Sequence, residues 1–210
     1  MTFPTAPYHD QKEHWPATGR HILACFDEET ILVYQAYAPA IGLHAIRHGT
    51  FGGGFSYGRM SWIKPNFLWM MYRSNWGQSV GQEVVLAVRL RRTFFDRILE
   101  QAVPSSFTSA LYPSHEAWKS AVGQSDVRLQ WDPDHHPQGS KQERRAIQLG
   151  LRGATLESYG KREIVDMSEF IAVQREHVLH GRLDQLLTPE EHPYLPSEQI
   201  AAHLGLGMIE

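Results

Sequence analysis

One stretch limits what this chain can fold into more than any other: residues 59–76, RMSWIKPNFLWMMYRSNW. Three of the six tryptophans lie in it. Apolar bulk alone reads as core. Three cations, Arg59, Lys64 and Arg73, are threaded through it, and a cation inside an aromatic run must reach the surface or meet an anion or a π face. That mix is what a pocket for a planar, anionic ligand such as a nucleotide requires. In this reading the cations neutralise phosphate, Trp62 or Tyr72 stacks on a ring, and Ser74 lies beside them. The bland alternative makes the tryptophans core and the cations helix caps or surface. The glycines at 52–54 just upstream form either a mobile cover or a bare connector.

The chain has 210 residues, 42% of them hydrophobic, which suits one globular domain with a real core. The net charge of −3 carries no chain-wide nucleic-acid footprint. Cys25 is the single cysteine and sits in apolar HILACF, so it reads as a buried thiol in a reducing compartment. Residues 1–15 show no signal-peptide pattern, and no run approaches the roughly 18 apolar residues of a membrane span. The expectation is a cytoplasmic protein with no membrane association. Residues 1–19 read as an arm that packs through Phe3, Tyr8 or Trp15. Residues 20–182 read as a single α+β domain, and residues 183–210 as a tail packed on it.

Strands are expected at 21–26, 31–37, 59–63, 82–91, 127–131 and 145–151. Helices are expected from Pro39 to about His48, from Pro65 to about Tyr72, and at 94–103, 116–122, 164–180 and 197–204. Asp132–Lys141 reads as a turn. Irregular strand spacing favours α+β, with a mostly antiparallel split sheet flanked by helices, over a doubly wound parallel sheet. Neither a dinucleotide fingerprint nor a P-loop is present.

Amides inside apolar strands need partners. Gln35, between Tyr34 and Tyr37, either bonds a neighbour or reads a ligand; Gln148 repeats the theme. Gln130, Asp132 and Arg152 sit at the ends of the late strands, with Asp132 before Pro133 also placed to cap a turn. His135–His136 and His177/His180 lack the spacing of a metal site. No GxSxG elbow marks a nucleophile.

The segments RHILACFDEETILVYQAYAPAI, RMSWIKPNFLWMMYRSNWGQSVGQEVVLAVRL, VRLQWDPD and RAIQLGLRG together resemble domain-of-unknown-function family 4291, from about Arg20 to about Ile171. A more distant resemblance, in element order, is to the ADP-ribosyltransferase fold. It implies that Gln35 takes the position that grips NAD and that Ser61 and Tyr72 flank the nicotinamide. Gln130 or Gln148 falls nearest the place of the late glutamate, so the Arg–Ser–Glu pattern is kept at one place of three. A neutral amide gives far less help than a carboxylate to the positive charge that builds on the ribose.

The resulting expectation is a transferase using NAD or another nucleotide end. Gln35, Lys64, Arg73 and Gln148 would be at the reaction centre. Tyr37, Arg59, Ser61, Trp62, Tyr72, Ser74, Gln130, Asp132 and Arg152 would be around the substrate. The alternative is a non-catalytic module for nucleotide or single-stranded nucleic acid on the same aromatic, cationic surface. A third is a structural protein whose aromatic segment is simply core.

Overall fold

Runs of β-branched and apolar residues that are buried on both faces shape the centre of the fold. A computed structural model describes residues 2–208. The chain begins with β1 (Thr5–Pro7), α1 (Tyr8–Lys12), β2 (Gly19–Arg20) and β3 (Leu23–Ala24). It continues through β4 (Thr30–Tyr37), α2 (Pro39–His48), β5 (Ser61–Ile63), α3 (Phe67–Ser74), β6 (Val84–Arg91), α4 (Arg92–Gln101) and β7 (Ala102–Pro104). Then come α5 (His115–Gln124), β8 (Val127–His135), β9 (Lys141–Leu151), α6 (Gly153–Ser158) and a π-helical turn at Tyr159–Glu163. The last elements are β10 (Ile164–Glu169), α7 (Ala172–Leu179), β11 (Leu187–Pro189), β12 (His192–Pro193) and α8 (Glu198–Leu204).

The architecture is mixed α and β, but the expected single, mostly antiparallel split sheet is corrected to several sheets. One has the order β10-β6-β4 and is antiparallel throughout. A five-stranded sheet has the order β2-β9-β8-β7, with β5 also on β9; its β2–β9 and β7–β8 pairs are parallel. The ribbons β1-β11 and β3-β12 tie residues near the two ends of the chain together. The two larger sheets meet at a bridge between Tyr34 and Lys64, with amide–carbonyl distances of 2.6 and 3.2 Å. Pro65 has no N–H to extend that pairing.

Alternation along β4 splits the core in two. Ile31 and Val33 join Leu86, Val88, Ile63, Leu129, Leu149 and the α4 residues Phe95 and Ile98 on one face. Leu32 and Tyr34 join Val85, Ala87 and the α3 residues Phe67, Met70 and Met71 on the other. Much of the tryptophan-rich stretch is therefore core, as its apolar density requires.

Helix α2 forms where expected: Pro39 opens it, and Gly49 closes it in the left-handed region at φ 68°. Helix α3 begins later than the Pro65 signal suggests. The Asn66 side chain accepts from the Trp69 amide at 2.7 Å, and the buried Glu191 carboxylate accepts from the Phe67 amide at 2.7 Å. The helix expected over 164–180 is instead strand β10 followed by α7, because IVDMSE pairs along β6 with Met167 inward. The expected turn at 132–141 is shorter, since β8 runs on to His135 and β9 starts at Lys141. Among the described residues no helix is long and apolar enough to cross a membrane.

Candidate functional site

The expected site residues divide between the two faces of the sheets. Gln35, Tyr37 and Ser61 form one cluster together with Tyr159. The Gln35 amide nitrogen lies 2.8 Å from Ser61 Oγ, 2.9 Å from the Tyr37 hydroxyl and 3.0 Å from the Trp62 carbonyl oxygen. Tyr159 donates to Gln35 Oε1 at 2.7 Å, and the Tyr37 and Ser61 oxygens are 2.5 Å apart. Burial pushes the Tyr37 hydroxyl up to about 12 and the Tyr159 hydroxyl well above its ordinary value. The loop after α2 closes this cluster, with Phe51 stacked on Tyr159 and both Phe51 and Phe55 against Tyr37.

Gln35 has two amide hydrogens and one carbonyl, and its neighbours use all of them. Its polar groups are thus engaged within the core, and the expected role of gripping a ligand would require one of these bonds to open. Gln35→Leu should cost about 1–3 kcal/mol in chemical denaturation, because Tyr159 loses its acceptor in a dry site. Ligand affinity should stay unchanged.

The opposite face holds the second cluster. The β5–β9 register pairs Trp62 with Gly150 and Ile63 with Leu149, and Lys64 follows directly, bridged to Tyr34. Gln148 pairs with Gln130 on β8. Gln148 and Gln130 thus face each other across two strands, with Asp132 diagonal to them and Lys64 within electrostatic reach of Asp132. Gln148 Nε2 donates to Gln130 Oε1 and to Asp132 Oδ2, both at 2.6 Å. Gln148 Oε1, the Gln130 amide nitrogen and Asp132 Oδ1 have no hydrogen-bond partner among the described residues.

Lys64 is 7% exposed. Its ammonium lies 3.4 Å from the Trp62 carbonyl oxygen and 5.0 Å from the centroid of the Trp69 ring. No carboxylate reaches salt-bridge distance among the described residues. Burial, with repulsion from Arg73, pulls its pKa down to about 7 against a weaker pull from Asp132. Burial raises the Asp132 carboxyl above its usual range, opposed by the Gln148 hydrogen bond and by Lys64. The Trp62 ring lies close over Gly150: a Cβ there would stand 3.0 Å from Trp62 Cε2 and 2.6 Å from Met60 Sδ. Only glycine lets the indole lie this near the sheet.

Beside this cluster, past the end of β7, is a hollow of about 380 Å³ lined by Gln130, Asp132, Trp131, Arg20, Ser105 and Phe107 among others. Arg20 lies 5.9 Å over the Trp131 ring.

The remaining expected residues fall elsewhere. Arg59 and Arg73 are exposed, and Arg73 reaches Gln82 at 3.5 Å, so the three cations of the aromatic stretch do not converge on one phosphate. Ser74 is fully buried and donates to the Met70 carbonyl within α3 at 2.9 Å. Arg152 ties down the end of α5 through the Val122 and Ser125 carbonyls at 3.2 and 2.9 Å. Tyr72 is half exposed, and its ring stacks on His135 at 3.4 Å and 7°. Asp132 lies within β8 rather than capping a turn.

Tyr159 and Trp69 were not singled out by the sequence. Nothing in the local pattern marks Tyr159, whereas Trp69, at i+5 from Lys64, could have been paired with that cation on the aromatic run itself.

A search of curated proteins finds no match to the chain. The profile of one family, described as a domain of unknown function (DUF4291), matches residues 21–194. That span covers both clusters and the sheets that carry them, and the chain belongs to this family.

Proposed function

We propose that the protein is a transferase of the ADP-ribosyltransferase-like class that uses NAD or a related nucleotide, with its reaction centre at the cluster of Lys64, Gln148, Gln130 and Asp132. The observation that carries this reading is Lys64: a buried ammonium 5.0 Å from the Trp69 ring centroid, with no carboxylate in contact among the described residues. Such a group is costly to bury unless an anion arrives to meet it. The unpartnered Gln148 Oε1, Gln130 amide and Asp132 Oδ1 beside it fit a ligand rich in hydroxyl and amide groups.

NAD, when bound, would supply a glycosidic bond whose electron pair leaves with nicotinamide, while a nucleophilic acceptor, or water in its place, forms the new bond to the ribose carbon. Lys64 holds a phosphate oxygen, and the approaching negative charge restores its proton. Trp62 and Trp69 wall the planar part. Asp132 faces the positive charge that develops on the ribose carbon, the role a late-strand carboxylate has in such chemistry. In this reading the setting is the reducing cytoplasm, where the buried Cys25 thiol, pushed up to about 12 chiefly by burial, stays protonated.

Release of free nicotinamide from NAD, followed by chromatography, tests the reaction. Asp132→Asn should slow it by about 10²–10³-fold while leaving the NAD-induced rise in melting temperature in place. No release, together with no thermal response to NAD, ADP-ribose or ATP, would refute the proposal. A non-catalytic nucleotide or single-stranded nucleic-acid module is the second reading. It is favoured by the saturation of Gln35, whose amide groups are all engaged by neighbours in the core. A thermal response without nicotinamide release would select it.

A further inference from the structure

A second hollow, of about 350 Å³, opens between the N-terminal segment and the β8–β9 turn. Its walls include Tyr8, Lys12, Trp15, His135, His136 and Arg144. Hydrogen-bond donors dominate these walls. Arg144 is 8% exposed. Its guanidinium uses two N–H groups on Asp134 and one on the Pro16 carbonyl, so two of its five remain. His136 Nδ1 accepts from the Gln138 amide at 3.2 Å, which assigns the proton of the neutral ring to Nε2. The Tyr8 hydroxyl has no partner among the described residues. His135 is 3% exposed, and among the described residues neither ring nitrogen has a partner within ordinary hydrogen-bond geometry, the Pro133 backbone making only a weaker approach.

One wall residue is a carboxylate, Glu13, which is exposed and lies 3.7 Å from Lys12, while the buried Asp134 carboxylate is taken by Arg144 and by the His135 amide. Tyr8 and Trp15, with ring centroids 6.1 Å apart and planes inclined at 59°, give the hollow an angled aromatic side. A cavity with spare donors, a buried cation and unpartnered buried imidazole nitrogens is built for an oxyanion.

We propose that this hollow binds a small molecule bearing a carboxylate or phosphate group, held by Arg144, His136 and Lys12, with its body against Tyr8 and Trp15. Asp134 keeps the guanidinium oriented, and two remaining N–H groups meet the oxyanion. The site is separate from the Lys64 cluster, and its occupancy does not depend on any reaction there.

Calorimetric titration with inorganic phosphate and with benzoate, against sodium chloride at matched ionic strength, tests the assignment. At least one probe should bind with a dissociation constant of about 1 mM or below, and the tighter of the two identifies the head group. Lys12→Met with His136→Phe should weaken that binding at least about tenfold. Both side chains line the hollow without holding the core, and circular dichroism would check that the double variant keeps its fold. Nicotinamide release, if present, should be unaffected. The proposal is overturned if neither probe binds more tightly than chloride, or if the double variant binds as the parent does.

Discussion

Replacing Lys64 with methionine is expected to stabilise the protein, by on the order of 4 kcal/mol at neutral pH and below. The ammonium sits against Trp69 and the Trp62 carbonyl with no carboxylate in contact. Its pKa falls from 10.5 in the open chain to about 7 in the fold. Between those two values the unfolded chain binds the extra proton, so stability contributed at this position rises with pH through the window. Below about pH 7 the group is charged in both states, and the full burial penalty is present. Above about pH 10.5 it is neutral in both, and the penalty vanishes. Methionine fills similar space without charge. Its advantage in denaturant midpoint should therefore be greatest below pH 7 and fade toward pH 10.5. The same variant should lose its response to NAD. A gain in stability with a loss of binding marks a residue kept for function at the expense of the fold. If Lys64→Met instead destabilises at every pH, the ammonium is structural and the proposed reaction centre is wrong.

Asp134→Ala is expected to destabilise by about 3–5 kcal/mol. Asp134 is fully buried and accepts from Arg144 Nε at 2.8 Å and from the His135 amide at 2.7 Å. Arg144 also donates to the Pro16 carbonyl at 2.8 Å and lies 5.4 Å over the Trp15 ring. Without the carboxylate, the guanidinium keeps its burial and loses its counter-charge. Coupling Asp134→Ala with Arg144→Leu removes both charges, and the pair should recover much of the loss in urea denaturation. A cost under about 1 kcal/mol for the single variant would mean that Arg144 reaches water freely through the neighbouring hollow.

The elements whose signals are local were legible. Pro39 and Gly49 bracket α2, and the apolar spacing of Phe94, Phe95, Ile98 and Leu99 gives α4 its buried face. The stretch 164–180 misled because Met167, Phe170, Ile171, Gln174 and Val178 fit a helical face about as well as IVDMSE fits a strand. The decision rests with β6, some 75 residues away in the chain, which offers a free edge to β10.

The site divides along the same line. Gln130, Asp132 and Gln148 could be noticed as polar groups in apolar strands, and the β8–β9 register brings them into contact. Sequence spacing could not show that Gln35 and Lys64 face opposite sides. That depends on the Tyr34–Lys64 bridge and on strand parity across it. Nor could it show that Arg59 and Arg73 point to solvent while Lys64 does not. The oxyanion hollow left no signal at all, because Tyr8, Trp15 and Arg144 meet through contacts between distant parts of the chain.

The ribbon of β1 with β11 sets a timetable for synthesis. Thr5 pairs with Pro189, Gln11 bonds Thr188, and the Trp15 indole donates to the Glu191 carbonyl. At translation rates of about 5–20 residues per second, the opening segment waits roughly 10–40 seconds for these partners to be made. Through that interval Gln11 and the Trp15 indole lack the partners that Thr188 and Glu191 supply. A nascent chain arrested before residue 187 should stay open to proteolysis at its first fifteen residues, even with its central strands already assembled.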